Sequence, residues 1–389
     1  MQPVYMSSVY PTPNRPYHGV FVQDLIKRVQ NLWDEDGQVI FPAPISDLRN
    51  GFHLAGERKV VLPGGNCLRQ HFPLYLSLSS KYFSPQLSTK WTVESFAKVA
   101  ERVYRRNQMN ADAFYGHFLL PGGVTSVRLG AIFNKPSFIT LDESSYTGAQ
   151  KAYMPNELQE MVRGVSGVLS VSDENADFMH QQLQVPRNRI IVLPNAADTD
   201  EFKPYDRAEM RRKYKLPEDE VLVAFVGAYI ERKGPNRVLD AIKGLDNVGV
   251  LLIGDGAMEL NSDQIRYKQR ISHDELPQLL SAADIFMLPT LAEGSCNAVT
   301  EALAVGLPVI SSDLSFNSLI VDDDRGILVD PTDIKALHQA VETLANDPAK
   351  REQMSWTARS WSEENSLAIR AVKMTEFMEE RAEAFHSGY

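Results

Sequence analysis

The chain has 389 residues, of which 43% are hydrophobic, 9% aromatic and 23% charged, with 23 glycines and 22 prolines. That composition is globular and long enough for about two or three domains, which excludes a collagen, a coiled coil or a disordered chain. The net charge of −10, from 40 basic and 50 acidic residues, argues against nucleic acid as the main partner, because binding phosphates needs a basic surface.

Two cysteines, Cys67 and Cys296, are too few and too far apart for a disulfide framework or a metal knot. No stretch reaches the roughly 18 apolar residues of a membrane span. The start, MQPVYMSSVYPTPNRPYHG, lacks the cationic and apolar regions of a signal peptide, so a cytoplasmic protein is expected.

In chain order, short apolar runs alternate with helix-like segments: VYMSSV from Val4, QVIF from Gln38, KVVL from Lys59, AFYGHF from Ala113, PSFITL from Pro136, GVLSV from Gly167 and RIIVL from Arg189. This rhythm predicts an α/β fold with a doubly wound parallel sheet. It restarts after the polar stretch PNAADTDEFKPYDRAEMRRKYKLPEDE, with VLVAFV from Val221, GVLLI from Gly249, DIFML from Asp284, LPVIS from Leu307 and GILV from Gly326. Two sheets separated by a linker follow, with domains over 1–196 and 197–360. Residues 24–29 of VFVQDLIKRVQ carry helical spacing, and Thr92 opens a helix with Phe96, Val99 and Val103 on one stripe. The segment 361–389 predicts a long amphipathic helix whose Leu367, Ile369, Val372 and Met374 need a partner surface.

Between Glu57 and Arg106, nine bases (Arg58, Lys59, Arg69, Lys81, Lys90, Lys98, Arg102, Arg105 and Arg106) stand against Glu57, Glu94 and Glu101. That segment is either a solvated helix face or a surface for an anionic headgroup or phosphate.

Doubly wound sheets bind ligands outside the carboxyl ends of their strands, so chemistry is sought there and in a cleft between the domains. In TLAEGSCNAVTEALAVGLPVI, Glu293 lies in a loop after a strand and Glu301 lies eight positions on, inside the next helix. Ser295 is the expected N-cap, leaving backbone N–H groups around Gly294, Ser295, Cys296 and Asn297 and the positive helix end for a phosphate. Glu301 then suits a ribose diol and Glu293 a sugar ring; the plain alternative is two surface acids. In FVGAYIERKGPNRVLDAI, Arg232 and Lys233 follow a strand ending at Gly227 and either clamp a diphosphate or form a solvated basic turn. Gly254 and Gly256 make a tight strand-to-helix turn, half of a dinucleotide fingerprint, and the full G-x-G-x-x-G is missing from both sheets' first turns.

In the first half, Gly19 lets backbone approach a ligand after the first strand. His117 ends a strand before a flexible Pro-Gly-Gly at 121–123, and is either structural or functional. Asp142, Glu143, Ser144 and Ser145 end another strand, and either bind hydroxyls or cap the next helix.

Taken together these blocks resemble glycosyltransferase family 4, the retaining nucleotide-sugar transferases of GT-B fold. EGSCNAVTEALAVGLPVI is similar to that family's Glu, seven residues, Glu motif with its small-residue helix and following strand. LPNAADTDEFKP resembles its strand-ending N-G-V-D-T block, FVGAYIERKG its V-G-R-x-x-x-x-K-G turn, and HDELPQLLSAADIFMLPT the segment before the first Glu. YPTPNRPYHGVFVQDL and GHFLLPGG resemble its glycine loop and histidine strand.

The resemblance implies two Rossmann-like domains facing across a cleft, an acceptor-binding one at 1–196 and a nucleotide-sugar-binding one at 197–360, with a helix at 361–389 crossing back to the first. It implies that Glu301 holds the ribose, Glu293 the donor sugar, Lys233 with Arg232 the diphosphate, and Gly294, Ser295, Cys296 and Asn297 the phosphate or sugar. Gly19 and Gly227 approach the donor, His117 contacts the transferred sugar, and Asp142 and Glu143 face the acceptor. No metal or other cofactor is implied, since the cations and the helix end serve the diphosphate. Departures from the family pattern are Ala228 in place of its Arg, Asp142-Glu143 in place of His-Gly, and Asp313 and Asn317 where its Gly-Gly-x-x-Glu would stand.

The expected activity is transfer of a sugar from a nucleoside diphosphate sugar, UDP or GDP, to a hydroxyl acceptor, as in bacterial surface polysaccharide or glycoconjugate synthesis. A lipid-linked acceptor would bring the protein to the inner face of the membrane. The alternatives are a nucleotide-sugar-binding regulator without turnover and a GT-B-like phosphorylase or epimerase.

Overall fold

Among the described residues, fourteen strands fall into two sheets, one in each of two units: Met1–Leu193 with Ala371–Tyr389, and Pro194–Arg370. The computed structural model describes residues 1–12, 18–33, 35–45, 57–78 and 82–388.

The first unit runs β1 (Pro3–Met6), α1 (Val20–Gln30), β2 (Gly37–Ile40), β3 (Ala43–Pro44), β4 (Arg58–Val61), β5 (Cys67–His71), β6 (Leu74–Tyr75), α2 (Pro85–Arg106), β7 (Ala113–His117) and α3 (Val124–Phe133). It continues through β8 (Ser137–Leu141), α4 (Thr147–Ala152), α5 (Pro155–Val162), β9 (Gly167–Ser170), α6 (Asp173–Asp177) and β10 (Ile190–Val192). The eight-stranded sheet has the order β10-β9-β8-β7-β1-β2-β5-β4. Every residue of β1, β7, β8 and β9 is buried. Strands covered on both faces need unbroken apolar or small sequence, which is why these runs stand out.

Two features of this unit depart from expectation. KVVL becomes the edge strand β4, which pairs antiparallel with β5 rather than joining the parallel series. The helix expected from Thr92 begins two turns earlier: the Ser84 hydroxyl accepts the Leu87 N–H at 3.2 Å, and Pro85, with φ preset and no N–H to lose, fits the first helical position. The buried stripe of α2 is Val93, Phe96, Ala97, Ala100 and Tyr104, flanked by the half-buried Val99 and Val103. Fully burying a side chain the size of Val93 or Phe96 contributes about 1.5–3 kcal/mol.

The second unit holds α7 (Arg207–Tyr214), β11 (Val221–Val226), α8 (Pro235–Ile242), β12 (Val248–Ile253), β13 (Ile265–Gln269), α9 (Leu276–Ser281), β14 (Ile285–Leu288), α10 (Asn297–Ala304), β15 (Val309–Ser312), β16 (Gly326–Val329), α11 (Ile334–Asn346) and α12 (Pro348–Glu364). Its six strands are ordered β13-β12-β11-β14-β15-β16, all parallel. Gly254 and Gly256 lead across an irregular stretch into β13, not into a helix as the sequence suggested. Arg211 and Asp284 form a buried ion pair at 2.5 Å, and Asp284 also accepts the Leu222 N–H at 2.7 Å. With those extra hydrogen bonds the pair is compensated for loss of water.

The expected single helix at the carboxyl terminus is broken. Helix α12 ends at Glu364, and α13 (Leu367–Ser387) starts afresh after Asn365 and Ser366. Leu367, Ala371, Met374, Met378 and Ala382 are its buried apolar residues, spaced four, three, four and four apart, whereas Ile369 and Val372 are exposed. From Ala371 onward α13 belongs to the first unit, where Glu379 accepts the Trp33 indole N–H at 2.6 Å and Arg381 donates to the Ser166 carbonyl at 3.0 Å.

Candidate active site

In each sheet the winding direction reverses once, at β1/β7 and at β11/β14, and the loops leaving such a point diverge to leave room for a ligand. The residues singled out from the sequence gather at these two places, each within its own unit.

At the β11/β14 point, Gly227 ends β11 with φ +156, and the aliphatic part of Lys233 passes over it, 3.6 Å from where a Cβ would stand. The loops after the two strands are joined by the Leu291 N–H, which donates to the Arg232 carbonyl at 2.8 Å. Gly234 opens α8 in the left-handed region, φ +77, and a Cβ there would lie 2.5 Å from the Arg237 guanidinium and 2.6 Å from the Pro289 carbonyl. No residue with a side chain fits, so the turn that presents Arg232 and Lys233 is fixed.

Both cations then converge on one carboxylate. Glu293 Oε1 lies 2.7 Å from Arg232 Nη1 and 2.7 Å from Lys233 Nζ, and accepts the Thr290 hydroxyl at 2.9 Å. The Lys233 and Glu293 side chains are 17% and 12% exposed. Two positive groups around one negative leave a cluster of net positive charge with its geometry set in advance. Ala228, in the same turn, is exposed.

Ser295 is not the cap of α10. Its hydroxyl accepts the Asn195 N–H at 3.0 Å, and its carbonyl accepts the Asn195 side-chain amide at 3.4 Å, tying the loop to the LPN segment. Cys296 takes the capping position without a side-chain hydrogen bond. Burial pushes its thiol up to about 12, so it is no nucleophile. Gly294, Ser295 and Cys296 are buried, and Asn297 is half-buried as the first residue of the helix. Asn317 is buried and donates to Ser311 Oγ at 3.0 Å and the Ser312 carbonyl at 2.7 Å, whereas Asp313 is exposed.

Glu301, on α10, has a partner that the residue-by-residue reading passed over. His273 Nε2 lies 3.3 Å from Glu301 Oε1, and its Nδ1 lies 3.1 Å from Glu201 Oε1. Burial opposes charge on this ring, but the hydrogen bonds and charges of the two carboxylates outweigh it and push the His273 pKa up to about 10. The signal was present: Glu201, His273 and Glu301 come from LPNAADTDEFKP, HDELPQLLSAADIFMLPT and EGSCNAVTEALAVGLPVI, three of the blocks that carried the resemblance.

At the β1/β7 point, Gly19 caps α1 with φ +79, and a Cβ would stand 2.7 Å from the Val9 carbonyl carbon. The close approach that requires glycine is thus to the chain's own backbone; residues 13–17 of the same loop lie outside the described residues. His117, 1% exposed, ends β7. Its Nδ1 lies 3.2 Å from the Tyr115 hydroxyl, which donates to Thr140 Oγ1 at 2.7 Å, and its Nε2 lies 3.9 Å from Asp142 Oδ2. Pro121, Gly122 and Gly123 are buried in a tight turn, not flexible: a Cβ on Gly116 would stand 2.3 Å from the Gly122 carbonyl.

Glu143 turns its carboxylate to the backbone, accepting the N–H of Leu119 and, at 3.1 Å, that of Asp142. Burial raises its pKa to about 8, with the Asp142 charge adding to the effect. Ser144 and Ser145 are exposed.

Among the described residues there is no group of three or more His, Cys, Asp and Glu placed to hold a metal ion, and no helix long and apolar enough to cross a membrane.

Comparison with known proteins follows this division. Residues 206–361 match the family model for glycosyl transferases group 1. Over 360 residues, 88% of each chain, the sequence is 26% identical to TuaC of Bacillus subtilis strain 168, a glycosyltransferase named for teichuronic acid biosynthesis. Over 200 residues, 46% of this chain and 51% of the relative, it is 27% identical to the Escherichia coli UDP-Gal:alpha-D-GlcNAc-diphosphoundecaprenol alpha-1,3-galactosyltransferase. The crystal structure of Anabaena HepE in complex with UDP superposes with a TM-score of 0.73, covering 98% of this chain and all of that one at 14% identity.

Proposed function

We propose that this chain, of GT-B fold and with residues 206–361 matching the family model for glycosyl transferases group 1, is a retaining glycosyltransferase that moves a sugar from a nucleoside diphosphate sugar to a hydroxyl acceptor. The observation that carries the reading is the convergence of Arg232 and Lys233 on Glu293 at the carboxyl ends of β11 and β14.

Breaking the bond between the anomeric carbon and the diphosphate builds negative charge on the departing phosphate. Cations already oriented before the reaction stabilise that charge without reorganising, a term worth about 2.7–4 kcal/mol for a single donor in comparable sites. Lys233 supplies a compact charge and Arg232 a planar fork of donors. Glu293 holds both in place and presents its remaining lone pairs to the sugar hydroxyls. The amino end of α10, from Gly294 to Asn297, adds its dipole, so no metal ion is needed. Glu301 accepts from the ribose diol. With the Glu143 carboxylate turned to backbone N–H groups, retention proceeds by attack of the acceptor on the face the diphosphate leaves, with a phosphate oxygen taking the acceptor proton. His117 contacts the transferred sugar and Asp142 binds on the acceptor side, while Glu143 accepts the Leu119 N–H and fixes the turn between them.

UDP is the first donor nucleotide to test and GDP the second, since one relative is named for UDP-Gal and a structural neighbour holds UDP. The relatives named for teichuronic acid biosynthesis and for a diphosphoundecaprenol substrate support a role in bacterial surface polysaccharide synthesis with a lipid-linked acceptor. Contact with the inner membrane face fits the exposed Leu76, Tyr82, Phe83, Leu87 and Trp91, in a stretch, 74–93, without a single acid. Apolar and aromatic side chains beside lysines suit a lipid–water boundary.

The test is a thermal-shift panel of UDP, GDP, ADP, CMP and dTDP, followed by nucleotide release from the matching sugars with and without acceptor lipid. Selective stabilisation by one diphosphate, lost in Glu301→Ala, is expected. Stabilisation only by a nicotinamide dinucleotide, or by none of these, sinks the reading. Nucleotide binding without turnover on any sugar would leave a regulator instead.

A further inference from the structure

His273 has no part in the chemistry above, yet its surroundings define it closely. It begins the short turn His273–Glu275 ahead of α9, with its ring edge on Phe202, centroids 5.1 Å apart at 68°. Each ring nitrogen faces a carboxylate oxygen, Nδ1 that of Glu201 and Nε2 that of Glu301. Carboxylates only accept, so both nitrogens donate, and only the imidazolium form donates at both. Exposure falls along the chain of contacts, from 37% for the Glu201 side chain through 31% for His273 to 14% for Glu301. The outer carboxylate thus orients the ring, and the ring orients the inner one.

We propose that His273 is a positioning residue: it holds one oxygen of Glu301 so that the remaining acceptor sites of that carboxylate stand ready for the ribose diol of the nucleotide. The proposal rests on Glu301 being the ribose acceptor, and adds the group that makes it an effective one. A free glutamate spreads over several rotamers and must be ordered when ligand binds, whereas one pinned through Oε1 is ordered beforehand. Because His273 acts only through Glu301, its effect is confined to the ribose end of the ligand and disappears when Glu301 is altered.

The measurement is calorimetric binding of UDP, 2′-deoxy-UDP and inorganic diphosphate to the full chain and to His273→Gln, Glu301→Gln and the double variant, with the GDP pair used if guanine is the base bound. His273→Gln should weaken UDP about tenfold, erase most of the preference for UDP over its deoxy form, and leave inorganic diphosphate unchanged. In the Glu301→Gln background the same substitution should do nothing further. Should His273→Gln fold poorly, Glu201→Gln removes only the ring's other support and should weaken UDP two- to threefold, again with no effect once Glu301 is replaced. If Glu301→Gln weakens UDP while His273→Gln binds it like the native chain, the positioning role is wrong and the ribose assignment stands. Equal losses from His273→Gln in both backgrounds mean an independent contact and also overturn it. Undiminished UDP binding by Glu301→Gln overturns the ribose assignment and the proposal with it.

Discussion

The reversal points of the two sheets are alike in topology and opposite in electrostatics. In the first unit the strand-end acid Glu143 is spent on backbone N–H groups and is raised to about 8 by burial, beside a histidine enclosed by Tyr115, Phe21 and Phe118. In the second unit the strand-end acid Glu293 gathers two cations at its surface, and Glu301 takes a third through His273. The same architecture can thus present a nearly neutral, self-satisfied wall or a set of fixed charges, and the choice lies in a few loop residues. A wall of the first kind suits a neutral hydroxyl compound, and charges of the second kind suit a diphosphate.

The comparison is broken most directly at Lys233. Lys233→Ala should cut turnover about a hundredfold, roughly 2.7 kcal/mol of transition-state stabilisation, at saturating donor and with an unchanged circular dichroism spectrum. Retained turnover would remove the electrostatic distinction between the units. Ser295→Ala leaves the buried Asn195 N–H without its acceptor and should cost about 1–3 kcal/mol in the unfolding of the second unit, read by urea titration. An undiminished midpoint would mean that the loop carrying Glu293 is held by other contacts. His117→Asn should lower turnover only about tenfold, near 1.4 kcal/mol. A loss as large as that of Lys233→Ala would make the first unit an equal electrostatic partner.

The smallest effect is a pH dependence. The folded pKa of Glu143, about 8, lies above the ordinary carboxylate range. Its contribution to stability is therefore complete below that range and is lost as pH rises through 8. Between pH 7 and 8 the native chain should lose on the order of 1 kcal/mol from this group, a shift of about 2–4 °C, and Glu143→Gln should flatten that slope. His273, raised to about 10, gives the contrasting case in the second unit: its contribution holds below its ordinary value and fades as pH passes through 10. A melting curve from pH 8.5 to 11 should show that loss in the native chain and not in His273→Gln.

Strands buried on both faces were legible, since VYMSSV, AFYGHF or VLVAFV can hardly be anything else. Cys67–His71 was not, because its buried Gln70 and His71 are polar and are satisfied by Tyr10 and Gln38, partners far away in sequence. Ile265–Gln269 escaped for a different reason: as an edge strand it is only half covered, and its IRYKQ reads as a solvated segment. The break at Asn365 is hidden because SEENS, at 362–366, carries neither glycine nor proline to mark a helix end, and the start at Pro85 because a capping serine two turns upstream carries no periodicity. At the sites, spacing placed Glu293, Glu301, Arg232 and Lys233 on the right loops and helix. It gave no sign that the two cations meet on Glu293, that Ser295 serves Asn195, or that Glu143 faces backbone, because those facts depend on where separate loops end in space. His273 lies within HDELPQLLSAADIFMLPT, and only its contacts single it out.

The two thiols have a practical consequence. Cys67 and Cys296 are 6% and 1% exposed, and the second is further disarmed by its high pKa. Alkylating reagents attack thiolates, so the native chain offers maleimide dyes almost nothing to react with. Met154 in the first unit and Trp356 in the second are 65% and 74% exposed. Cysteines introduced there would take a donor and an acceptor fluorophore on an otherwise silent background. Energy transfer between them could then be recorded molecule by molecule, with and without added UDP, without first engineering either native cysteine away.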